Sequence, residues 1–523
     1  MPLKSTKSHY RIAFAAFLFS LLATSFGFFS AWLEIGQFCY ALDDSFIMMA
    51  ISKNIAFHHV WGLTQYHFSS TASSPLFAVL LAGADLIFGD HIWMPLVINI
   101  FALGGLYFFV AWLCAKWNFK LWQTWWMLLG LFFFMPVPVL LYGSMEHILH
   151  TLIALFCLYL VLENEKPAPI WKLLLAGALL AGIRYEGLFE GGLLVLVLWS
   201  RKQWLSGVFF GVGMAIPVAS LGIYSMAQGW FFLPNSLVLK AYGMNIQETK
   251  TIVGFILSWI SKAANYPHAI ASIIVLALIR ELPESARNHN KLWTGVVLLA
   301  SVLHFVLARY GHVYRYEAYV MALGWLAYWK TCVQGGFVNS QAELWRNLRQ
   351  SPVQAIIVIA LVFSPLYRSV ESYAVGAKAI VNIYEQQVQT ARFVQKYFDK
   401  AVIGALDVGA IAYYSDCKLQ DLWGLGTMDF AQLKLKNQYK PAEIDSVSQR
   451  LGMELAIVYG RPMNRPGWQK VESWAIRENM VCAQDTVDFY ALNPDAHSRL
   501  KQHLIAFRDS LPKSVIVIPA QTK

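Results

Sequence analysis

The sequence predicts a polytopic α-helical membrane protein with a soluble α/β domain at its C-terminal end. Of its 523 residues, 57% are hydrophobic and only 14% are charged, which is too apolar for an ordinary soluble enzyme. The apolar residues come in blocks of roughly 15–23, about the length that a helix needs to cross a hydrocarbon core. From about residue 371 the composition becomes ordinary. We therefore predict a transmembrane domain over 1–370 and an extracytoplasmic domain, the tail, over 371–523.

The apolar blocks predict about eleven transmembrane helices with the N-terminus in the cytoplasm. In this orientation the loops placed inside are basic, as the positive-inside rule requires, and an odd number of spans places the tail outside. The first block is longer than a usual signal core, which favours a retained span over a cleaved signal sequence. We expect a multi-pass protein of the bacterial cytoplasmic (inner) membrane. The predicted spans are 12–33, 92–114, 121–142, 146–163, 170–184, 187–200, 204–226, 264–280, 292–308, 313–330 and 353–370.

Three features of this map are unusual. The apolar stretches 75–89 and 251–261 are left out of the count, because either one would invert the charge pattern downstream. We expect them to lie as helices at the outer membrane interface. The spans 170–184 and 187–200 are joined by a charged turn, Arg-Tyr-Glu. Because about 15 helical residues cover only about 22 Å, that turn either faces a wet cavity or snorkels to the membrane surface.

The composition also argues against other classes of protein. The net charge is +10, but the basic residues lie mostly in short loops, so nucleic acid is not an expected partner. The six cysteines show no metal-ligand spacing; Cys417 and Cys482 either form a disulfide in the tail or are unpaired core residues. His58, His59 and His67 fit no zinc pattern. No cofactor or metal site is indicated, although the sequence leaves room for a divalent cation.

Four cations lie beside span ends on the predicted outer side, where positive charge is unexpected. They are Arg184, Lys240, Arg309 and Arg315. A site for the phosphate of a lipid-linked substrate requires cations at one membrane face, and Arg offers a planar fork of donors while Lys offers a point charge. The alternative for each is a side chain that snorkels to the interface, and Arg315 could also be held in a local contact with Glu317. Together the four favour a phosphate site.

An adjacent pair of carboxylates, Asp43 and Asp44, follows the first span. Such a pair is costly in an apolar stretch unless it is solvated or serves a purpose. We predict that Asp43 accepts a proton from an acceptor hydroxyl and that Asp44 tunes it or helps to hold a cation; the alternative is that the pair caps the next helix. The remaining predicted substrate-binding residues on this side are Ser73, His67, Glu146, His147, Glu186, Asn235 and Glu317.

Short blocks in a fixed order carry a resemblance to a known family. The blocks lie at 43–47, 73–76, 143–146, 184–187, 234–236, 315–316, 407–414 and 421–425. In this order and spacing the sequence resembles GT-C-fold glycosyltransferases that use polyprenyl-phosphate sugars, in particular the AftB-like arabinofuranosyltransferase group. The resemblance implies a catalytic carboxylate at Asp43, with Asp44 as its partner, and a donor that enters from the lipid. Two departures, at 182–186 and 70–73, leave the donor sugar and the acceptor open.

The expected function is therefore transfer of a sugar from a polyprenyl-phosphate donor to a glycan or glycolipid acceptor of the cell envelope, with inversion. Two alternatives stay open: a flippase or transporter of lipid-linked sugar, and a non-catalytic envelope-glycan assembly protein. In the tail, strand-like runs at 402–406, 454–459 and 487–492 and a helical stretch at 384–398 predict an α/β domain. Its role is either binding the acceptor glycan or capping the membrane part.

Overall fold

The chain is rich in helix, with one sheet near its C-terminal end. The structure, a computed structural model, describes residues 3–163, 166–243, 284–308, 313–336, 338–340 and 352–520 apart from 460–466, together with positions 342, 346 and 349. Labels follow chain order within these residues. The helices up to the tail are α1 (Leu3–Ile35), α2 (Asp43–His58), α3 (Pro75–Phe88), α4 (Met94–Lys116), α5 (Leu121–Phe134), α6 (Val137–Gly143), α7 (His147–Leu162), α8 (Ile170–Ile183), α9 (Gly187–Ser200), α10 (Trp204–Ala227), α11 (Asn235–Gly243), α12 (Glu284–Leu307), α13 (Ala318–Gln334) and α14 (Pro352–Ile383).

The described helices include four that are long and apolar enough to cross a membrane. They are Thr6–Ile35, Met94–Lys116, Trp204–Ala227 and Asn290–Leu307, and the pair α5 and α6, bent by 49°, would make a fifth. These helices are compatible with a membrane protein. The predicted count of about eleven is not confirmed, because α7, α8 and α9 have only 14–16 residues. Helices of that length cover about 21–24 Å, less than a hydrocarbon core.

Two of the predictions about apolar stretches have different outcomes. The stretch 75–89 forms α3, a helix of 14 residues with Pro75 in its first turn, as expected of a proline at a helix start. The predicted span 264–280 and the stretch 251–261 lie outside the described residues.

Close packing of α8 on α10 holds the charged turn in place. A Cβ atom at Gly177 would collide with the main-chain oxygen of Phe210, and one at Gly213 with that of Leu174. Small residues of this kind let helix backbones approach within membranes, where interhelical van der Waals contact supplies much of the attraction. The turn 184–186 between α8 and α9 is thereby fixed at one end of this helix pair.

The tail is a mixed α/β domain. Its sheet has the strand order β2-β1-β3-β5-β4-β6, with β1 parallel to β2 and β3 and the other neighbours antiparallel. Its elements are the π-helical turn Tyr384–Val388, α15 (Gln389–Tyr397), β1 (Val402–Ala405), α16 (Gly409–Tyr414), β2 (Lys418–Asp421), α17 (Met428–Leu435), α18 (Pro441–Arg450), β3 (Leu455–Tyr459), β4 (Gln469–Ala475), β5 (Thr486–Ala491), α19 (Pro494–Phe507), a 3₁₀ turn (Arg508–Ser510) and β6 (Ile516–Pro519).

Aromatic side chains form the core of this domain. Phe393 of α15 lies 5.5–5.6 Å, centroid to centroid, from the rings of Trp474, Phe489 and Phe507. Burial of such rings supplies the apolar area that joins helices to a sheet. The predicted C-terminal α/β domain is confirmed, and the three strand-like runs and the helical stretch correspond to β1, β3, β5 and the segment from Tyr384 to Tyr397.

A continuous helix, α14, leads into the tail from the residues before it. Helix α14 runs from Pro352 to Ile383, so position 370 lies inside it, and the boundary placed there stays a prediction. The cysteines raised as a disulfide pair are both free: Ser415 Oγ donates to Cys417 Sγ over 3.3 Å, and Cys482 Sγ donates to Gln387 Oε1 over 3.5 Å.

Helix α16 of the tail packs against α2. Phe46 of α2 packs on the rings of Tyr413 and Tyr414, with centroids 5.9 and 5.7 Å apart. Lys53 Nζ donates to the carbonyl oxygen of Tyr413 over 3.2 Å, and the hydroxyl of Tyr413 donates to Asp90 over 2.9 Å. These contacts bring the start of α2 against the tail.

Candidate functional site

Asp43 is the first residue of α2, and its carboxylate caps a helix of the tail. Oδ2 accepts from the main-chain N–H of Gly409 over 2.7 Å, and Oδ1 accepts from that of Ala410 over 2.8 Å. A carboxylate that receives two N–H groups at a helix start satisfies donors that the helix leaves unpaired. The pair of aspartates was weighed as a cap for the following helix; Asp43 instead caps α16, 366 positions along the chain.

The surroundings of Asp43 raise its proton affinity. Burial raises the pKa of its carboxyl group to about 8, and the nearby carboxyl of Asp407 acts in the same direction. The N–H groups of Ala410 and Gly409 oppose this shift, because hydrogen bonds to a carboxylate favour its charged form. A carboxyl group with a pKa close to neutral is suited to accept a proton.

Asp44 faces the opposite way and pairs with Arg315. The carboxylate binds Arg315 Nη2; the side chain of Asp44 is 41% exposed and that of Arg315 only 4%. Arg315 Nη2 also donates to the hydroxyl of Tyr316 over 3.1 Å. The Nε and Nη1 groups of Arg315 are buried and have no hydrogen-bond partner among the described residues. A buried guanidinium with two unused donors is costly unless a ligand or water completes it.

The charged turn 184–186 is buried in protein rather than exposed. Arg184 binds Glu146 through Nη1 and Glu186 through both Nη2, at 2.5 Å, and Nε, at 3.2 Å. His147 Nε2 lies 3.5 Å from Arg184 Nη1. Arg184 and Glu146 have side chains no more than 5% exposed. The alternative of a turn that snorkels to the surface is therefore wrong for Arg184.

Tyr316 joins the two arginine groups. Its ring centroid lies 4.9 Å from the Cζ atom of Arg315 and 5.7 Å from that of Arg184, while the ring of His147 lies 6.1 Å away. Guanidinium groups over an aromatic face are held by the ring quadrupole. We name the set Asp44, Glu146, His147, Arg184, Glu186, Arg315 and Tyr316 the arginine cluster. All of its members except Tyr316 were singled out from the sequence.

Glu317 belongs to a different ion pair. Its Oε1 atom lies 3.0 Å from Arg368 Nη2, and both side chains are at most 1% exposed. The Cζ atom of Arg368 lies 4.7 Å from the ring centroid of Tyr314. The alternative of a local contact between Arg315 and Glu317 is therefore not the pairing observed. Arg368 was missed from the sequence, although an arginine inside the apolar run 353–370 is a signal that could have identified it.

A second group of polar residues surrounds Asn235. Its main-chain N–H donates to Ser70 over 2.8 Å, and its Nδ2 donates to the carbonyl of Gly424 in the tail over 2.9 Å. Thr71 Oγ1 donates to the carbonyl of Leu425 over 3.3 Å. The buried polar atoms here that lack a hydrogen-bond partner among the described residues are Trp61 Nε1, Thr64 Oγ1, Ser70 Oγ, Asn235 Oδ1 and Ser236 Oγ. We name this group the serine–asparagine cluster.

The tail loop in this cluster is shaped by Asp421. Its carboxylate accepts from the main-chain N–H groups of Trp423 and Gly426, each over 2.7 Å. Burial raises the pKa of Asp421 to about 6. Gly424 has φ +88°, a conformation that glycine adopts without strain. The loop 421–427 is thereby held as a rigid turn against the loop that contains Ser70.

The other predicted site residues have mixed positions. Ser73 is partly buried in the bend before α3, and His67 is exposed, with its main chain bridged to that of Thr64. Lys240 lies on α11, but its side chain is outside the described residues, as is Arg309 altogether. Ser73 and His67 therefore lie in the loop of the serine–asparagine cluster and not in the arginine cluster.

Other buried ionisable residues were missed from the sequence. Glu190 in α9 is 1% exposed, and both of its carboxylate oxygens lack a hydrogen-bond partner among the described residues. Asp407 lies between β1 and α16, where Gln387 Nε2 donates to its Oδ2 over 2.6 Å. Glu190 stands four residues from Glu186 on a helix and could have been found from its charge in an apolar run. Within the described residues, no group of three or more His, Cys, Asp or Glu side chains is arranged to hold a metal ion.

Fold and site together define a helix-rich chain with apolar helices compatible with a membrane and a C-terminal mixed α/β domain. The family model of a domain of unknown function, DUF8728, matches residues 380–490, which lie within the tail. No curated protein and no solved structure matches the chain.

Proposed function

We propose that the protein is a membrane glycosyltransferase that moves a sugar from a polyprenyl-phosphate donor to a glycan or glycolipid acceptor on the extracytoplasmic face of the bilayer. The single observation that carries the proposal is the arginine cluster. Two buried guanidinium groups share one tyrosine ring, and one of them keeps two unused donors, beside an aspartate pair. Such donors are complementary to a phosphate group.

The phosphate of the donor would bind at Arg315. Its Nε and Nη1 groups are the unused donors, and Asp44 and Tyr316 hold its remaining nitrogen in place. Arg184 is already paired with Glu146 and Glu186, so its role would be to hold the ring of Tyr316 in place rather than to bind the phosphate. A charge held in advance stabilises a leaving phosphate without reorganisation during the reaction.

Asp43 would act as the general base. The oxygen of the acceptor hydroxyl forms a bond to the anomeric carbon while the bond from that carbon to the phosphate oxygen breaks. The phosphate leaves with the electron pair, and the hydroxyl proton goes to the carboxylate of Asp43. One displacement of this kind inverts the anomeric centre. The raised pKa of Asp43 makes it a stronger proton acceptor than an ordinary aspartate.

The acceptor would lie on the side of the serine–asparagine cluster. Ser70, Asn235 and Ser236 supply polar atoms without a partner, and hydroxyl groups of a glycan can complete them. Ser73 and His67 lie in the same loop. This loop contacts the tail at Gly424 and Leu425, so the tail would form one wall of the acceptor side.

A transfer assay with purified protein, defined polyprenyl-phosphate sugars and a glycan acceptor tests the proposal. Asp43→Asn and Arg315→Ala should each lower the rate by at least about a hundredfold, because the first removes the proton acceptor and the second removes the charge that binds and stabilises the leaving phosphate. Arg450→Ala is the matched control: its guanidinium binds Asp429 on the exposed tail surface and should keep full activity. Full transfer by Asp43→Asn would remove the base role, and movement of lipid-linked sugar across vesicles without transfer would favour a flippase.

A further inference from the structure

A small cavity lies between the start of α2 and the tail. Asp43 and Asp407 both line it, and the space holds roughly one water molecule. Its other polar lining residues are Gln386, Gln387, Thr390 and Tyr459. The hydroxyl of Thr390 is buried and has no hydrogen-bond partner among the described residues. The cavity is therefore polar on several sides and suited to an ordered water.

Asp407 is held in the wall of this cavity by the tail alone. Its Oδ2 accepts from Gln387 Nε2 over 2.6 Å, and the hydroxyl of Tyr459 donates to it. Gln387 lies in the π-helical turn Tyr384–Val388, a rare element that is frequent at functional sites. Asp43 is held just as firmly by Gly409 and Ala410, two and three residues after Asp407. The short segment from Asp407 to Ala410 thus fixes both carboxyl groups.

We propose that Asp407 is a positioning residue for the base: Asp43 and Asp407 share one proton across this cavity, through a water molecule, and the tail thereby sets the proton affinity of Asp43. The inference rests on the proposed role of Asp43 and deepens it. Asp407 does not touch the substrate. It acts because two buried carboxylates close together cannot both be charged without a large electrostatic cost.

The other charged groups around the cavity do not account for the repulsion between the carboxylates of Asp43 and Asp407. Asp44 adds negative charge but is neutralised by Arg315. Burial raises the pKa of Asp407 as well as that of Asp43, so each carboxyl group favours the protonated form of the pair. Arg392 on α15 donates to Gln37 over 2.5 Å and is not one of the residues that line the cavity. The remaining titratable groups that face the pair from neighbouring elements are Cys39, Tyr459 and Cys482.

The dependence of transfer rate on pH tests the inference. In the wild type the rate should rise with pH as Asp43 loses its proton. In Asp407→Asn, Asp43 no longer faces a second carboxyl group across the cavity, so the midpoint of this rise should move to lower pH by about one unit or more. Asp485→Asn, in an exposed loop of the tail, is the matched control and should keep the wild-type midpoint. An unchanged midpoint in Asp407→Asn would overturn the inference.

Thermal unfolding measured over pH gives a readout that does not depend on transfer. The raised pKa of each carboxyl group means that folding takes up a proton, so stability should fall as pH rises from about 4 to about 8. Asp43→Asn and Asp407→Asn should each flatten this fall, and the double variant should flatten it by less than the sum of the two single effects. If Asp407→Asn does not fold, Gln387→Leu is the second variant, because it removes the N–H donor to Asp407. The shared proton then stays on Asp407, so the midpoint of the rise in transfer rate with pH should also move to lower pH.

The two measurements separate the inference from the function on which it rests. Loss of the pH-dependent stability in both aspartate variants, in a protein without transferase activity, would support the shared proton and remove the glycosyltransferase proposal. If the wild type transfers sugar but both aspartate variants keep the wild-type dependence of stability on pH, the proposed function stands and the shared proton is overturned. Additive, independent effects of the two substitutions on stability would likewise overturn it.

Discussion

Asp44 binds Arg315 across 271 positions of the chain, and this pair connects the start of α2 to the rest of the arginine cluster. The aspartate is the half-exposed partner, and the arginine is almost fully buried. A buried charge that lost its partner would be strongly destabilised, so the pair also fixes the position of the guanidinium. Its neighbour Asp43 points to the tail instead, and adjacent carboxylates are thereby given different surroundings.

Replacing Arg315 with Lys should lower transfer by about tenfold or more while the protein still folds, because an ammonium retains the charge but not the planar fork of donors. The transfer assay at saturating donor measures the loss. Arg450→Lys, on the exposed tail surface, is the control and should be unaffected. Equal activity of Arg315→Lys and wild type would argue against a role for the Nε and Nη1 donors of Arg315 in phosphate binding.

Replacing Gly409 with Ala should weaken the packing of the tail against α2. The added Cβ atom would collide with the main-chain oxygen of Asp43. Overpacking of this kind lowers the free energy of unfolding by about 1–3 kcal/mol. Limited proteolysis of the tail and thermal unfolding measure the effect. Gly83→Ala in α3 is the control, because a Cβ atom there meets no neighbour, and it should leave stability unchanged or slightly higher.

Replacing Asn235 with Ala should weaken the contact between the start of α11 and the tail. It removes the donor to the carbonyl of Gly424, and a buried acceptor left unpaired costs about 1–3 kcal/mol. Faster proteolysis within the loop 421–427 is the expected outcome. Gln432→Ala, on the exposed face of α17, provides the comparison. An unchanged cleavage rate in Asn235→Ala would show that Thr71 alone holds the loop.

Lys434 should make the stability of the tail rise with pH. Burial lowers the pKa of this amine to about 8, below its ordinary value of about 10.4. Folding therefore releases a proton between these pH values, so the cost of burying the charge is constant below pH 8 and disappears as pH rises towards about 10. Lys434→Met should be more stable than wild type at pH 7, with a difference that shrinks by pH 10. Melting temperatures at both pH values measure this, and Lys436→Met, at an exposed position, should show no such trend.

The tail was the part of the fold most accessible to sequence reasoning. Runs of β-branched and apolar residues bounded by turns are local signals, and they located β1, β3 and β5 to within a residue or two. The charged turn between α8 and α9 was found in the same way. The number of spans was not, because a hydropathy pattern reports apolar length and not whether a helix of 14 residues crosses the bilayer or packs within protein.

The site was predicted as a list of residues but not as a set of pairs. Asp44, Arg184 and Arg315 stood out because charge is costly in an apolar stretch, and that cost is visible in the sequence. Tyr316 and Asp407 lay in the blocks that carry the resemblance but were given no role, since a tyrosine or a tail aspartate is ordinary by composition. Their importance comes from distance: one ring lies between two guanidinium groups, and one carboxyl group shares a cavity with Asp43.

The sequence by itself determined where apolar helices form, that an α/β domain follows them, and which charges are out of place. These properties depend on neighbours a few residues apart, so periodicity and composition carry them. Only the tertiary structure decided that Glu317 pairs with Arg368 rather than Arg315, and that Asp43 caps a helix of the tail. Such partners are chosen by packing between elements that are 51 and 366 positions apart in the chain, where burial makes every unpaired charge costly and so selects one arrangement.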